Sequence, residues 1–159
     1  MKKLERKRLS TNFASNNYVL KENFTVDDKE LIAAAKKYRE FSYSPYSKFK
    51  VGAAVLTKKG NVYGGCNVEN SSFPITNCAE RTAIFKAVSE GEQEFEALAL
   101  IADTPGPCSP CGACRQVMAE YQTLGGKPLS VIMYGTEKVW KFGKVDDILP
   151  FIFDSFNEK

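Results

Sequence analysis

The sequence predicts an α/β fold, a three-layer α/β/α sandwich around a mixed central sheet of about five strands. Segments with apolar residues at helical spacing alternate with short apolar or period-two segments, in the order helix, two strands, helix, strand, helix, strand, strand, helix. The 159 residues show neither an internal repeat nor an interdomain linker, a length that suits one core. Apolar residues at 43% and charged residues at 26% are the proportions of an ordinary globular chain.

Residues 1–25 carry six basic and two acidic side chains among Asn and Ser, without a clear period, and read as a basic, partly disordered extension. Residues 26–159 read as one folded domain. Its first helix is expected over Val26 to Phe41, with Asp27 and Asp28 suited to the N-cap and first turn and Leu31, Ile32, Ala35 and Tyr38 on one face. Ser44-Pro45 stops it. Lys50 to Thr57 and Asn61 to Cys66 form a hairpin across Lys58-Lys59-Gly60. A Ser-rich loop leads to a helix over Cys78 to Glu90, where Ala79, Ala83, Ile84, Ala87 and Val88 recur and Gly91 ends the run. Glu94 to Ala102 is an apolar strand, and a Pro- and Gly-rich loop hands over to a helix from Cys111 to about Tyr121. Strands over Leu129 to Tyr134 and Val139 to Phe142 follow, then a last apolar helix over Asp146 to Phe156.

Net charge is +3, but the excess lies in the extension, and the remainder holds sixteen basic against seventeen acidic residues. Such a body lacks the basic face of a nucleic-acid-binding domain. No run approaches the ~18 apolar residues of a membrane span, and the polar N-terminal stretch does not read as a signal peptide, so a cytoplasmic protein is expected. There are five cysteines and no histidine. Acid–base chemistry must then use carboxylates, thiols, Lys or Tyr.

Cys111 and Cys114, three apart at a helix start, share one face, and Cys78 starts the preceding helix. A helix N-terminus favours the thiolate, and three thiolates at ~2.3 Å from a zinc leave a fourth position for water. The Cys-x-x-Cys pair alone fits a redox couple, a metal site or neither. Cys108 offers a rival, since with the other three it would close a Cys₄ structural site, although Pro107 and Pro110 interrupt any helix it would share with Cys111. Glu80 fits either a first-turn Glu favoured by the helix dipole or a carboxylate that moves the proton of an activated water. Arg81 and the Arg115-Gln116 pair are placed to donate hydrogen bonds to the sulfurs and offset their excess charge.

Four stretches taken together, Ser47-Lys48-Phe49-Lys50-Val51-Gly52-Ala53-Ala54, Gly65-Cys66-Asn67-Val68-Glu69-Asn70, Cys78-Ala79-Glu80-Arg81 and Pro110-Cys111-Gly112-Ala113-Cys114-Arg115-Gln116, resemble the cytidine deaminases of nucleoside salvage. The resemblance runs from about residue 27 to residue 153. It implies one zinc per subunit on Cys78, Cys111 and Cys114, attack of water at C4 of cytosine, and Glu80 as proton carrier to N3 and the leaving ammonia. It also implies hydrolysis of cytidine and 2'-deoxycytidine to the uridines in pyrimidine salvage. Asn67 and Glu69 match the ribose-binding pair, Phe49 and Ala79 line the substrate, and Phe153 matches an aromatic supplied across subunits of a homotetramer whose neighbours complete each pocket. Two features depart from the family pattern: Cys108 stands at a position usually small and apolar, and the basic extension is long.

Overall fold

The computed structural model describes residues 24–153. Residues 1–23 of the basic extension and residues 154–156 of the expected last helix lie outside the described residues. The elements in chain order are α1 (Val26–Arg39), β1 (Val51–Thr57), β2 (Val62–Cys66), α2 (Ala79–Ser89), β3 (Phe95–Ala102), α3 (Gly112–Gly125), β4 (Ser130–Tyr134) and β5 (Val139–Phe142).

The five strands form one mixed sheet in the order β2-β1-β3-β4-β5. Its single parallel pair is β3 with β4, and α3 supplies the crossover such a pair requires. Central β3 is apolar almost throughout, as a strand covered on both faces must be. Alternation then sorts its residues: Leu98 and Leu100 join a core with Ala83 and Ile84 of α2 and Met118 of α3. Ala99 and Ile101 join a second core with Leu31, Ile32 and Ala35 of α1. Those two cores on opposite faces are the three layers that the element order predicts.

α1 starts at Val26 as expected, with Asp27 and Asp28 in its first turn and Thr25, not an aspartate, as its N-cap. Thr25 Oγ1 accepts from the Asp28 N–H and the Asp28 carboxylate accepts from the Thr25 N–H, a capping box. Phe24 is buried beside it, so the packed body reaches back to that residue. α3 runs one turn further than its sequence suggests, to Gly125, and Gly126 closes it at φ 61°. The expected last helix is absent from the described residues, where only a 3-10 turn at Val145–Asp147 forms. Pro150 explains this, since it lacks the N–H that would bond the Asp146 carbonyl and pushes Leu149 away from helical geometry.

β2 seats both flanking helices by having almost no side chains where they approach. A Cβ on Gly65 would lie 2.4 Å from the Ala83 nitrogen and 2.8 Å from the Ala79 oxygen, both backbone atoms of α2. On the opposite face a Cβ on Gly64 would lie 1.9 Å from the Tyr38 ring of α1. Gly65→Ala is expected to lower stability in urea unfolding by ~1–3 kcal/mol, because the clash is with backbone that no rotamer change relieves.

Candidate active site

Cys78 is the N-cap of α2 and Cys111 the N-cap of α3, and neither side chain caps its own helix. The sulfurs of Cys78, Cys111 and buried Cys114 lie within 4.8 Å of one another. Cys78 and Cys111 are 3.9 Å apart and Cys111 and Cys114 3.5 Å apart. Thiolates on a tetrahedral zinc with ~2.3 Å bonds are separated by ~3.8 Å, and none of the three is in a disulfide, so spacing and softness both fit zinc. Cys108 stays outside this trio. It packs against the core under α2 and α3, and burial pushes its thiol up to about 11.

Hydrogen bonds polarise the trio. The Cys114 S–H and then the Arg81 guanidinium hold Cys78 down at about 5, against the opposing effect of burial. Cys114 moves upward, chiefly because it donates that bond and also because it is buried. Arg81 Nη2 lies 3.7 Å from the Cys78 sulfur and 3.1 Å from the Thr76 carbonyl, which anchors it. A cation there offsets part of the −1 charge that three thiolates leave on a zinc site.

Glu80 sits in the first turn of α2 yet is only 4% exposed. A first-turn Glu serving the helix dipole alone would face water. Burial first, and then the Cys78 charge, push its carboxyl up to about 7. A divalent cation beside it opposes that rise by countering the thiolate. Ala79, before it, is fully buried.

The second half of the site is polar. Asn67 Oδ1 accepts from the Val51 N–H at 2.9 Å, and Nδ2 donates to the Phe49 carbonyl at 2.8 Å. Glu69 Oε2 accepts the Tyr46 and Ser47 N–H groups at 2.8 and 3.2 Å, and Oε1 accepts the Ser47 hydroxyl. The Ser47 bond first, then the backbone donors, hold the Glu69 carboxyl below its usual range despite some opposing desolvation. Glu69, with Tyr46, Ser47, Phe73 and Thr76, lines a pocket of about 370 Å³. Phe49 and Phe153 are both substantially exposed, at 45% and 59%. The halves are joined through Val68 and Asn77, which exchange backbone bonds of 2.9 and 3.0 Å just before Cys78.

Gln116 and Arg115 do not bond the sulfurs. Gln116 Nε2 donates to the Phe153 carbonyl at 2.6 Å. Arg115 donates to the Pro110 and Ile148 carbonyls and to Ser109. Two residues beyond Cys114 is about 200° around a helix, which turns Gln116 away from the trio. Both therefore tie the segment after β5 to α3. Ser47 and Thr76 are the partners that the sequence reading passes over, because a loop Ser or Thr carries no spacing signal.

A profile of the "cytidine and deoxycytidylate deaminase zinc-binding region" matches residues 25–124. The chain belongs to this deaminase family. It is 64% identical over 96 residues to a cytidine deaminase of Sporosarcina psychrophila, spanning 60% of this chain and 71% of that protein. A blasticidin-S deaminase of Bacillus cereus is 31% identical over 107 residues, spanning 62% of this chain and 76% of that one. The crystal structure of cytidine deaminase from Burkholderia pseudomallei superposes with a TM-score of 0.73 at 48% identity, covering 82% of this chain and all of that one. In a family whose matching region is described as zinc-binding, the spacing of the three thiols fits a zinc site.

Lys48, between Ser47 and Phe49, is the non-glycine residue at positive φ among the described residues, at 58°. Its N–H closes a turn on the Ser44 carbonyl at 3.1 Å. Left-handed backbone costs an L-residue ~1–2 kcal/mol. Lys48→Gly is therefore expected to hold or raise the melting temperature, whereas β-branched Lys48→Val lowers it; calorimetry distinguishes the two.

Proposed function

We propose that the protein hydrolyses the exocyclic amine at C4 of cytidine and 2'-deoxycytidine, giving uridine or 2'-deoxyuridine and ammonia. The observation that carries this reading is a nearly inaccessible carboxyl, Glu80, on the turn that presents Cys78 to Cys111 and Cys114. When bound by the three thiolates, zinc supplies the Lewis acidity that brings a water's pKa towards ~7. Glu80 is the proton carrier and not a ligand, as in zinc deaminases generally. Its carboxylate takes one proton of the attacking water and passes it to N3 of the base, then takes the second from the hydroxyl now on C4 and delivers it to the departing amine, so that the C4–N bond breaks as the C4 carbonyl forms. Burial suits that work, since it disfavours the charged carboxylate and so helps Glu80 take up a proton. Arg81 holds the Cys78 sulfur in its charged state.

Asn67 and Glu69 grip the sugar hydroxyls, with Phe49 and Ala79 against the base and Arg81 behind the metal. Gln116 holds the C-terminal segment that carries Phe153, and Phe153 completes the pocket of a neighbouring subunit in a homotetramer. Exposure of Phe49, Phe73, Ile75, Phe151 and Phe153 supports an assembly that covers them. The catalytic domain begins by Phe24, two residues earlier than the sequence suggests, and the residues before it are an accessory basic extension. No helix among the described residues is long and apolar enough to cross a membrane, which is compatible with a cytoplasmic place in pyrimidine salvage.

Loss of ultraviolet absorbance on mixing with cytidine tests the reaction, with CMP, cytosine, adenosine and blasticidin S as alternative substrates. Turnover of CMP or blasticidin S without turnover of cytidine would overturn the assignment. Glu80→Gln is expected to keep one zinc per chain while kcat falls at least ~10²-fold, since it removes the proton carrier and no ligand. Cys111→Ala is expected to lose zinc, by metal analysis, along with activity; retention of a full equivalent would refute the ligand set.

A further inference from the structure

The carboxamide of Asn67 is held by a residue that the motifs do not contain. The Val51 N–H requires an acceptor and the Phe49 carbonyl requires a donor, which fixes Oδ1 and Nδ2 without ambiguity. Oδ1 takes a second and shorter bond of 2.6 Å from half-buried Ser42 Oγ. Ser42 has one proton, and Asn67 Oδ1 cannot donate, so that proton belongs to Asn67. The neighbouring Ser44 hydroxyl, 3.2 Å from Ser42 Oγ, then donates to it. The backbone keeps the pair in register: the Tyr43 N–H reaches the Asn67 carbonyl at 3.1 Å and the Glu69 N–H reaches the Tyr43 carbonyl at 2.8 Å.

Both lone-pair directions of Oδ1 are thus used, and the carboxamide cannot rotate. One Nδ2 proton goes to Phe49, leaving the other for an incoming acceptor. Donation into Oδ1 also polarises the amide and strengthens its N–H groups as donors.

We infer that Ser42 is a positioning residue for sugar recognition, orienting and polarising the Asn67 carboxamide so that its uncommitted N–H meets a hydroxyl oxygen of the nucleoside sugar. The inference rests on the reading of Asn67 and Glu69 as the sugar grip. Its effect belongs to binding and not to the chemistry at C4, because Ser42 bonds to the sugar half of the site and to none of Cys78, Glu80, Cys111 or Cys114.

Steady-state kinetics of wild type and Ser42→Ala with cytidine and with 2',3'-dideoxycytidine test it. Ser42→Ala is expected to raise KM for cytidine about fivefold, the worth of one neutral hydrogen bond, with kcat changed less than about twofold and KM for the dideoxy substrate unmoved. Equal rises for both substrates, a loss confined to kcat, or no change for either would each overturn the role of Ser42. The wild-type comparison tests the underlying reading separately, since equal KM values for the two substrates would remove the sugar grip itself.

Discussion

Everything else in the site depends on bringing two helix N-termini together with their thiols 3.5–3.9 Å apart. Three sulfurs charged at once at that distance, as a metal site requires, repel by ~1 kcal/mol per pair in water and more where water is excluded, until a cation offsets them. The scaffold must hold them before any cation does. It does so from two directions. α2 lies close on β2 because Gly65 admits its backbone, and Gly64 leaves room for Tyr38 on the opposite face. α3 is anchored as the crossover of the parallel strand pair β3 and β4, with Arg115 fastening the loop at Pro110 to the chain after β5 at Ile148. The polar members of the second cysteine motif thus act on the position of the helix start, not on the sulfurs.

Two carboxylates show how environment divides the work. Glu80 is buried, and burial drives its carboxyl upward. Glu69 is only partly covered and surrounded by donors, with the Ser47 hydroxyl and two backbone N–H groups holding its carboxyl below the usual range. In the roles proposed for them, Glu80 as proton carrier has to change state during each turnover, whereas Glu69 as acceptor for sugar hydroxyls has to remain an anion. Opposite shifts on side chains of the same type meet both requirements.

The sequence discloses the parts of this architecture that have a period or a spacing. Five strands, three helices and two faces follow from alternation and helical repeats, and Cys111 and Cys114 announce their shared face by separation alone. What stays hidden has a common cause. The missing last helix follows from Pro150 within an apolar run, where composition outweighed a single missing donor. The capping of α1 by Thr25 depends on one reciprocal pair of hydrogen bonds, and Asp28, read as a cap, is its second half. The direction of Gln116 follows from a helical angle, but its partner, the Phe153 carbonyl, lies 37 residues away and has no side-chain identity to read. Side chain to backbone bonds leave no residue-type signature at the accepting end, so pattern reading finds donors and misassigns their targets.

The join between the two halves is where the geometry of the whole pocket is set. Val68 is flanked by the two proposed sugar-binding residues, and its backbone pairs with Tyr43 on one side and Asn77 on the other. Asn77 precedes Cys78, so the reciprocal backbone bonds of Val68 and Asn77 link the proposed sugar residues to the thiol trio. A nucleoside is a rigid object in which the reacting C4 and the sugar hydroxyls lie at opposite ends, and an enzyme that grips one end to position the other gains rate only if the two ends of its site do not drift. Joining the proposed sugar residues to the thiol site through the backbone pair of Val68 and Asn77 serves that condition, since the link does not depend on side-chain identity.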